Sequence, residues 1–300
     1  MNNVPAVSII IPTYNRAYVI RETLDCVLSQ SFANWECVIV DDFSTDETNE
    51  IVSDYCKKDS RFVFIEKNVG DVKGASASRN LGIMNSRGAF IKFLDSDDLI
   101  DANNIKLQYE DLVNESPYTA SICRWAVFSD SIRKAEIKTN MTYYKNFSPG
   151  LKFLENLGES NSYIPPVCNM INRRLLDAAG MWDERLSLND DGEFFARIFL
   201  KTEKIIFTPD TLGYYRKTEN SLSVYERPKL ASLVLSWQLT ENHMRSFFKE
   251  KENIYVRNSK RRIFTHLRND YFWFLVSHFW FFREVFTYKF LGKLKYMISK

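Results

Sequence analysis

Phe90-Ile91-Lys92-Phe93-Leu94-Asp95-Ser96-Asp97-Asp98 passes from a hydrophobic segment straight into three carboxylates within four residues. Residues 90–94 read as a buried strand. Carboxylates this close repel one another, and a strand end that gathers them commonly shares them with a cation. Asp-x-Asp after a strand therefore points to a divalent metal held for a phosphate-bearing substrate. The same residues also suit a helix N-cap, with Asp97 or Asp98 capping a helix through Ile105, Leu107 and Leu112. The surrounding sequence favours the first reading.

Upstream, β-rich runs alternate with helical patterns. Strands are expected over 7–11, 37–40 and 62–65, and another over 119–127. Helices are expected over 45–56, 76–85 and 105–113, and Ile20, Leu24, Val27 and Leu28 mark one helical face. This alternation predicts an α/β fold whose sheet is mostly parallel and covered by helices on both faces. Ligands of such sheets bind beyond the carboxyl ends of the strands. Tyr14-Asn15-Arg16, Asp41-Asp42, Asn68 and Asp95-Ser96-Asp97 each follow a strand, so all should converge on one rim. Periodicity is weak over 141–163, where Ser148-Pro149-Gly150 reads as a loop, as does Pro165-Pro166. Residues 172–179 read as a helix ended by Gly180. Asp190-Asp191-Gly192-Glu193 opens another helix, and 205–207 reads as a short strand. Beyond Pro228 only helical, aromatic and basic sequence follows.

Three hundred residues with 45% hydrophobic and 15% aromatic content suit one large domain, or one domain with an appendage. No run has the roughly 18 to 20 apolar residues of a membrane span, and Met1-Asn2-Asn3-Val4-Pro5 does not read as a secretory signal. Five scattered cysteines without Cys-x-x-Cys spacing argue against a zinc site or a disulfide framework and fit a cytoplasmic protein. The net charge of +2 hides an asymmetry: 15 Lys/Arg face 6 Asp/Glu from Glu226 onward. Division into residues 1–225 and a helical region 226–300 is expected.

Val7-Ser8-Ile9-Ile10-Ile11-Pro12-Thr13-Tyr14-Asn15-Arg16, followed by Val38-Ile39-Val40-Asp41-Asp42-Phe43-Ser44-Thr45-Asp46, resembles the opening of family 2 glycosyltransferases. Gly74-Ala75-Ser76-Ala77-Ser78-Arg79-Asn80 resembles the family's Gly-x-x-x-Ala-Arg-Asn segment, and residues 93–98 its Asp-x-Asp motif. Asp190-Asp191 with Arg197 resembles its late acidic motif, and Tyr215-Arg216 with Ser221-Leu222-Ser223 its closing segment. The matches stand in family order over roughly three quarters of the chain. Two positions depart from the pattern. Ser78 replaces a common Ala, and Thr218 stands where many members carry a His, which leaves the third protein ligand of a metal in doubt.

The resemblance implies an inverting enzyme with the GT-A fold, a Rossmann-like sheet flanked by helices, that uses a nucleotide-diphosphate sugar. It implies bacterial surface-polysaccharide assembly, such as capsule or O-antigen. It makes Asp97 the metal ligand for Mn²⁺ or Mg²⁺, Asp95 a ribose or metal contact, and Asp191 the general base. Oxygen ligands and two phosphates suit such a cation. Pro12, lacking an N–H, is expected to end the first strand and open a loop through Thr13, Tyr14 and Asn15 along the nucleotide base. Asp42 suits the N3–H of uracil, with capping of the helix near Thr45 as its other use and Asp46 as an alternative cap. Arg79 has two uses, steering the diphosphate or holding Asp95. One carboxylate suffices for a single inverting displacement, because a sugar hydroxyl needs only a positioned proton acceptor. Asp190 and Asp191 also suit a helix cap.

In the tail, Tyr271-Phe272-Trp273-Phe274-Leu275-Val276 and Phe279-Trp280-Phe281-Phe282 are too apolar for a solvated helix. Lys289, Lys293, Lys295 and Lys300 follow. The combination fits an interfacial helix against an anionic membrane surface, or a hairpin packed on the catalytic domain or on a second subunit. No nucleic-acid partner is expected. The expected reaction moves a sugar from a UDP-sugar to a glycan or lipid-linked oligosaccharide acceptor, in the cytoplasm or on the inner face of the membrane. A sugar nucleotidyltransferase would need an early glycine-rich basic loop, which Tyr14-Asn15-Arg16 lacks, and a dehydrogenase would need Gly-x-Gly-x-x-Gly. A non-catalytic nucleotide-sugar-binding protein stays open through Thr218.

Overall fold

The computed structural model describes residues 4–218, 226–247 and 253–287. Among these, nine strands join in one sheet. The first half alternates strictly: β1 (Val7–Thr13), α1 (Ile20–Leu28), β2 (Trp35–Asp41), α2 (Thr48–Lys58), β3 (Phe62–Glu66), α3 (Ala75–Met84) and β4 (Phe90–Phe93). Then come β5 (Leu99–Ile100), α4 (Asn104–Leu112), β6 (Thr119–Phe128), β7 (Glu136–Ile137), α5 (Leu151–Glu159), β8 (Asn169–Asn172), α6 (Arg173–Ala179), α7 (Asp190–Lys201) and β9 (Lys204–Arg216). The tail supplies α8 (Leu230–Arg245), α9 (Ile254–Leu267) and α10 (Phe272–Ser277).

The sheet order is β3-β2-β1-β4-β8-β6-β9-β5, with β7 on β6. Strands β3, β2, β1 and β4 are mutually parallel, and every residue of β1 and β2 is buried. Such strands read as unbroken apolar runs because both faces are covered, and each buried Ile or Val contributes about 1.5–3 kcal/mol. Strand β8 enters antiparallel to both β4 and β6. Two reversals return β6 to the direction of β1, and β9 runs parallel to β6. The carboxyl ends of β1, β2, β4, β6 and β9 therefore share one rim.

Several details correct the sequence reading. Pro12 does not end β1, which continues to Thr13 with Pro12 opposite Val40. Ile10 O accepts from Leu94 N, so Pro12, two residues on, faces the β4 side, where pairing stops at Phe93 and no donor is needed. Strand β9 spans thirteen residues instead of a short 205–207 segment. It absorbs Pro209-Asp210 as a bulge, where its register with β6 shifts between Cys123 and Arg124. The weakly patterned region contains α5, whose Phe153, Leu154 and Leu157 are buried.

The tail packs on the sheet-bearing part. Helix α8 lies on α7 and α9 on α5, and Trp237, Val256, Ile263, Phe264 and Leu267 join the common core. No helix among the described residues is long and apolar enough to cross a membrane. Lys289, Lys293, Lys295 and Lys300 lie outside the described residues, as does Ser221-Leu222-Ser223.

Candidate active site

The rim gathers the polar clusters that follow the strands, and hydrogen bonds tie them together. Asn15, at φ 49°, receives no help from its own helix; its N–H donates to Ser44 Oγ (2.8 Å) and its Oδ1 accepts from Thr45 N (2.8 Å). Arg16 N donates to Thr48 Oγ1 (2.8 Å). The loops after β1 and β2 are thus locked to each other. Tyr14 stays half exposed, and Thr13 is buried. Asp46, not Asp42, serves the start of α2, accepting from Thr48 N at 3.1 Å.

Asp42 is occupied differently. Its carboxylate accepts from Lys67 Nζ (2.7 Å) and from Gly74 N (2.9 Å to Oδ2). Lys67 Nζ also donates to Val72 O (2.8 Å). Its side chain is almost fully buried, so an ammonium and a carboxylate together staple the 67–74 loop to the end of β2. Gly74 takes φ 117°, a conformation open to glycine, which aims its N–H at Asp42. Lys67 carried no sequence signal, because its partner lies 25 residues away.

The acidic run divides into three roles. Asp95 Oδ1 accepts from Arg79 Nη2 at 2.6 Å. Asp97 lies 3.6 Å from Arg16 Nε, and burial, then the charge of Asp95, push its carboxyl above the usual range. Asp98 is buried and accepts from Arg216 N (2.9 Å), and its Oδ2 has no hydrogen-bond partner among the described residues. Burial, then Asp95 and Asp97, raise its pKa well above that of a free carboxylate. Neither Asp97 nor Asp98 caps α4: β5 intervenes and pairs with β9. Arg216 holds the turn, donating from Nε to Asp97 O (2.7 Å) and from Nη2 to Glu22 (2.7 Å).

Arg79 holds Asp95, one of its two expected uses, and a second carboxylate as well. Nearly buried, it donates from Nη1 to Asp190 Oδ2 (3.0 Å) while Nη2 holds Asp95, and it stacks 4.3 Å over Trp182. It joins the acidic run after β4 to the acids that open α7. Asp191 is half-buried, and its Oδ1 accepts from Gly192 N (2.8 Å). Burial, then the charge of Asp190, lift its pKa to about 6. Arg197 turns away from this cluster, bonding Glu193 (2.8 Å) and the carbonyls of Ala179 and Met181 (2.7 and 2.8 Å). It braces the turn before α7. His243 meets Glu193 there at 3.1 Å.

No group of three or more His, Cys, Asp or Glu residues placed to hold a metal occurs among the described residues. Asp95 and Asp97 nevertheless fit a hard cation. Their oxygens are the right donors, the charge of Asp95 helps raise the Asp97 carboxyl, and the adjoining Asp98 oxygen is orphaned.

The family model for glycosyl transferase family 2 matches residues 8–180. Glycosyltransferase GlyA of Streptococcus pneumoniae is 29% identical over 230 residues, which cover 72% of this chain and 31% of GlyA. The chain thus spans less than a third of that relative's length. S. aureus TarS 1-349, solved in complex with UDP-GlcNAc, superposes with a TM-score of 0.66 at 21% identity, covering 88% of this chain and 74% of that one. Mannosyltransferase PcManGT from Pyrobaculum calidifontis, solved with GDP-Man and Mn2+, gives 0.55 at 19% identity over 86% and 70%. These structures share the GT-A fold with this chain. With its ordered rim motifs and a model match over more than half its length, the chain belongs to glycosyl transferase family 2.

Proposed function

We propose that this protein is an inverting glycosyltransferase that moves a sugar from a UDP-sugar to a hydroxyl of a glycan or lipid-linked oligosaccharide, in surface-polysaccharide assembly. The observation that carries the reading is the Arg79 bridge, which ties Asp95 of a cation-ready pair, Asp95 and Asp97, to Asp190, next in sequence to a carboxylate, Asp191, whose pKa is about 6. Asp97, with Asp95, would hold Mn²⁺ or Mg²⁺, which offsets the charge growing on the departing nucleoside diphosphate. Water or diphosphate oxygens would supply the ligands that these two carboxylates do not. Pro12, Thr13, Tyr14 and Asn15 lie along the base, and Asp42 Oδ2 accepts the uracil N3–H with its remaining lone pair. Asp191 takes the proton of the acceptor hydroxyl as its oxygen bonds to the anomeric carbon and UDP leaves with the electron pair of the broken C–O bond, and a pKa near 6 keeps the carboxylate ionised and moderately basic at neutral pH. The bound Mn²⁺ and GDP-Man of PcManGT and the UDP-GlcNAc of TarS support a metal-assisted nucleotide-sugar donor. A donor panel read by UDP release with Mn²⁺ present tests this: turnover with UDP-sugars is expected, and activity with GDP-sugars alone would overturn the uridine assignment. UDP-sugar binding without any transfer or hydrolysis would favour a binding protein.

A second observation favours attachment to an anionic membrane from the cytoplasmic side. Phe272, Trp273, Val276, Phe279 and Trp280 are exposed, Trp273 by 79% and Trp280 by 77%. Behind them Leu275, Phe281, Phe282 and Val285 are buried, so the outer rings are presented from a packed base. Exposed Arg268 and Arg283 flank them. Aromatic rings beside basic residues suit the headgroup boundary. The inner rings of this segment pack on the core, as the packing alternative has it, and its outer rings remain exposed. Wild-type protein should float with phosphatidylglycerol vesicles at low salt, and Trp273→Ser with Trp280→Ser should remain at the bottom of the gradient. Flotation unchanged by that double substitution would remove the membrane role.

A further inference from the structure

On the β6 side the rim changes from charge to aromatic surface. Trp125 lies in the carboxyl-terminal half of β6, three residues before its end, on the same rim as Asp97. Its ring is buried, and its Nε1 donates to Tyr143 Oη at 2.8 Å. Tyr143 in turn donates to Tyr163 O at 3.0 Å. Tyr163 packs on Trp125 with ring centroids 5.3 Å apart, yet 51% of it is exposed. Its phenol has no hydrogen-bond partner among the described residues. A large ring thus packs against a buried indole while half of the residue stays exposed.

The segment that carries Tyr163 is also braced from outside the sheet. Arg262 of α9 donates to Asn161 O (3.2 Å), and Asn258 donates to Gly158 O (2.9 Å). Burial raises the Tyr163 phenol to about 12, and the nearby charges of Tyr215 and Asp191 add to it. Because β8 runs antiparallel to β4 and β6, the segment before it, with Tyr163, reaches the rim to which Arg79 ties the start of α7. A carboxylate that accepts a proton from a sugar hydroxyl needs that sugar oriented against it. Pyranose rings present an apolar C–H face that stacks on aromatic rings, with hydroxyls at the edge for hydrogen bonds, and a tyrosine supplies both kinds of contact.

We infer that Tyr163, backed by Trp125, is the stacking platform for the acceptor sugar, a pyranose bound with its C–H face on the ring. The inference rests on the glycosyltransferase reading and deepens it by placing the acceptor. Tyr163 binds substrate in this scheme and exchanges no proton. The phenol hydroxyl contributes less than the ring, because the open face is the larger surface.

Saturation-transfer NMR on the full chain with UDP and Mn²⁺ tests the platform, using methyl β-glycosides of glucose, galactose and N-acetylglucosamine as probes. At least one should receive saturation at its ring protons in the wild type. Tyr163→Phe should keep that signal, and Tyr163→Ala should weaken apparent affinity about 3- to 10-fold, the range expected for one lost aromatic contact. UDP affinity by calorimetry should be the same in all three proteins. Equal glycoside binding by Tyr163→Ala would overturn the platform, as would no transfer to any glycoside in the wild type. Loss of UDP binding in Tyr163→Ala would also overturn it, by making the residue structural. Failure of the wild type to bind UDP while glycoside binding still depends on Tyr163 would break the donor reading and leave the platform standing.

Discussion

On the β1–β4 side of the rim, ions hold the loops in place; on the β6–β9 side, rings and a helix from the tail do. Lys67 fastens Asp42, Arg79 ties Asp95 to Asp190, and Arg16 faces Asp97. Across the rim, Trp125 packs tilted against Tyr163, Trp125 and Tyr143 hydrogen-bond in series to the Tyr163 backbone, and α9 braces the segment that leads to Tyr163. The difference matches the two kinds of substrate a glycosyltransferase must hold. A diphosphate demands fixed charges with a cation between them, while an acceptor glycan offers C–H faces and hydroxyls. Binding energy on the two sides should therefore be separable, and each substitution below is aimed at one side.

The largest effect is expected at Asp97. Asp97→Ala removes the proposed metal ligand and should reduce turnover below detection, while UDP affinity loses only its Mn²⁺-dependent part. Calorimetry with and without Mn²⁺ reads this directly. A metal-dependent increment that survives the substitution would move the cation to other oxygens and detach the charged side from its proposed purpose.

Asp191→Asn comes next, because it keeps the shape and removes the proton acceptor. A loss of roughly 10² to 10⁴ in rate is expected, the usual worth of a positioned base, with UDP-sugar affinity unchanged. The wild-type pKa of about 6 sets the pH dependence. A base works ionised, so kcat/KM should rise about tenfold per pH unit up to about pH 6 and level off above it. The variant should show a low, flat profile in that range. Wild-type turnover in Asp191→Asn would refute the role, and loss of donor binding would place Asp191 on the charged side with Arg79.

The charged side was also the legible side. Strands β1 to β4 are short apolar runs, each followed at once by its polar residues, so a parallel sheet with one shared rim could be read from spacing alone. The aromatic side hid for specific reasons. Strand β8 is four residues, Asn169 to Asn172, too short for a period to emerge, and it reverses the sheet. Pro209-Asp210 looks like a turn and is a bulge within β9. Trp125 and Tyr163 stand 38 positions apart and meet only because β6 and β8 pair. Lys67, and the second half of the Arg79 bridge to Asp190, carried the same obscurity on the charged side, since ion pairs between distant residues leave no local pattern. The tail's aromatic content was plain, but its division between buried and exposed rings depends on α9 settling against α5.

The smallest expected effect tests whether that docking is what makes the two sides independent. Gly158, in α5, lies against the start of α9 so closely that a Cβ there would fall 2.5 Å from Tyr255 Cα and 2.6 Å from Tyr255 N. Backbone cannot yield as a side-chain tip does, so Gly158→Ala must push α9 outward. Overpacking of this kind costs about 1–3 kcal/mol, measurable by denaturant unfolding. The shift would also draw Arg262 from Asn161 and loosen the segment ending at Tyr163. Methyl glycoside affinity should then fall by a small factor while Mn²⁺-dependent UDP affinity holds. If both fall together, α9 supports the whole rim and the separation of charged from aromatic sides is wrong. If neither falls although stability does, the tail braces the fold alone and the aromatic series holds Tyr163 without it.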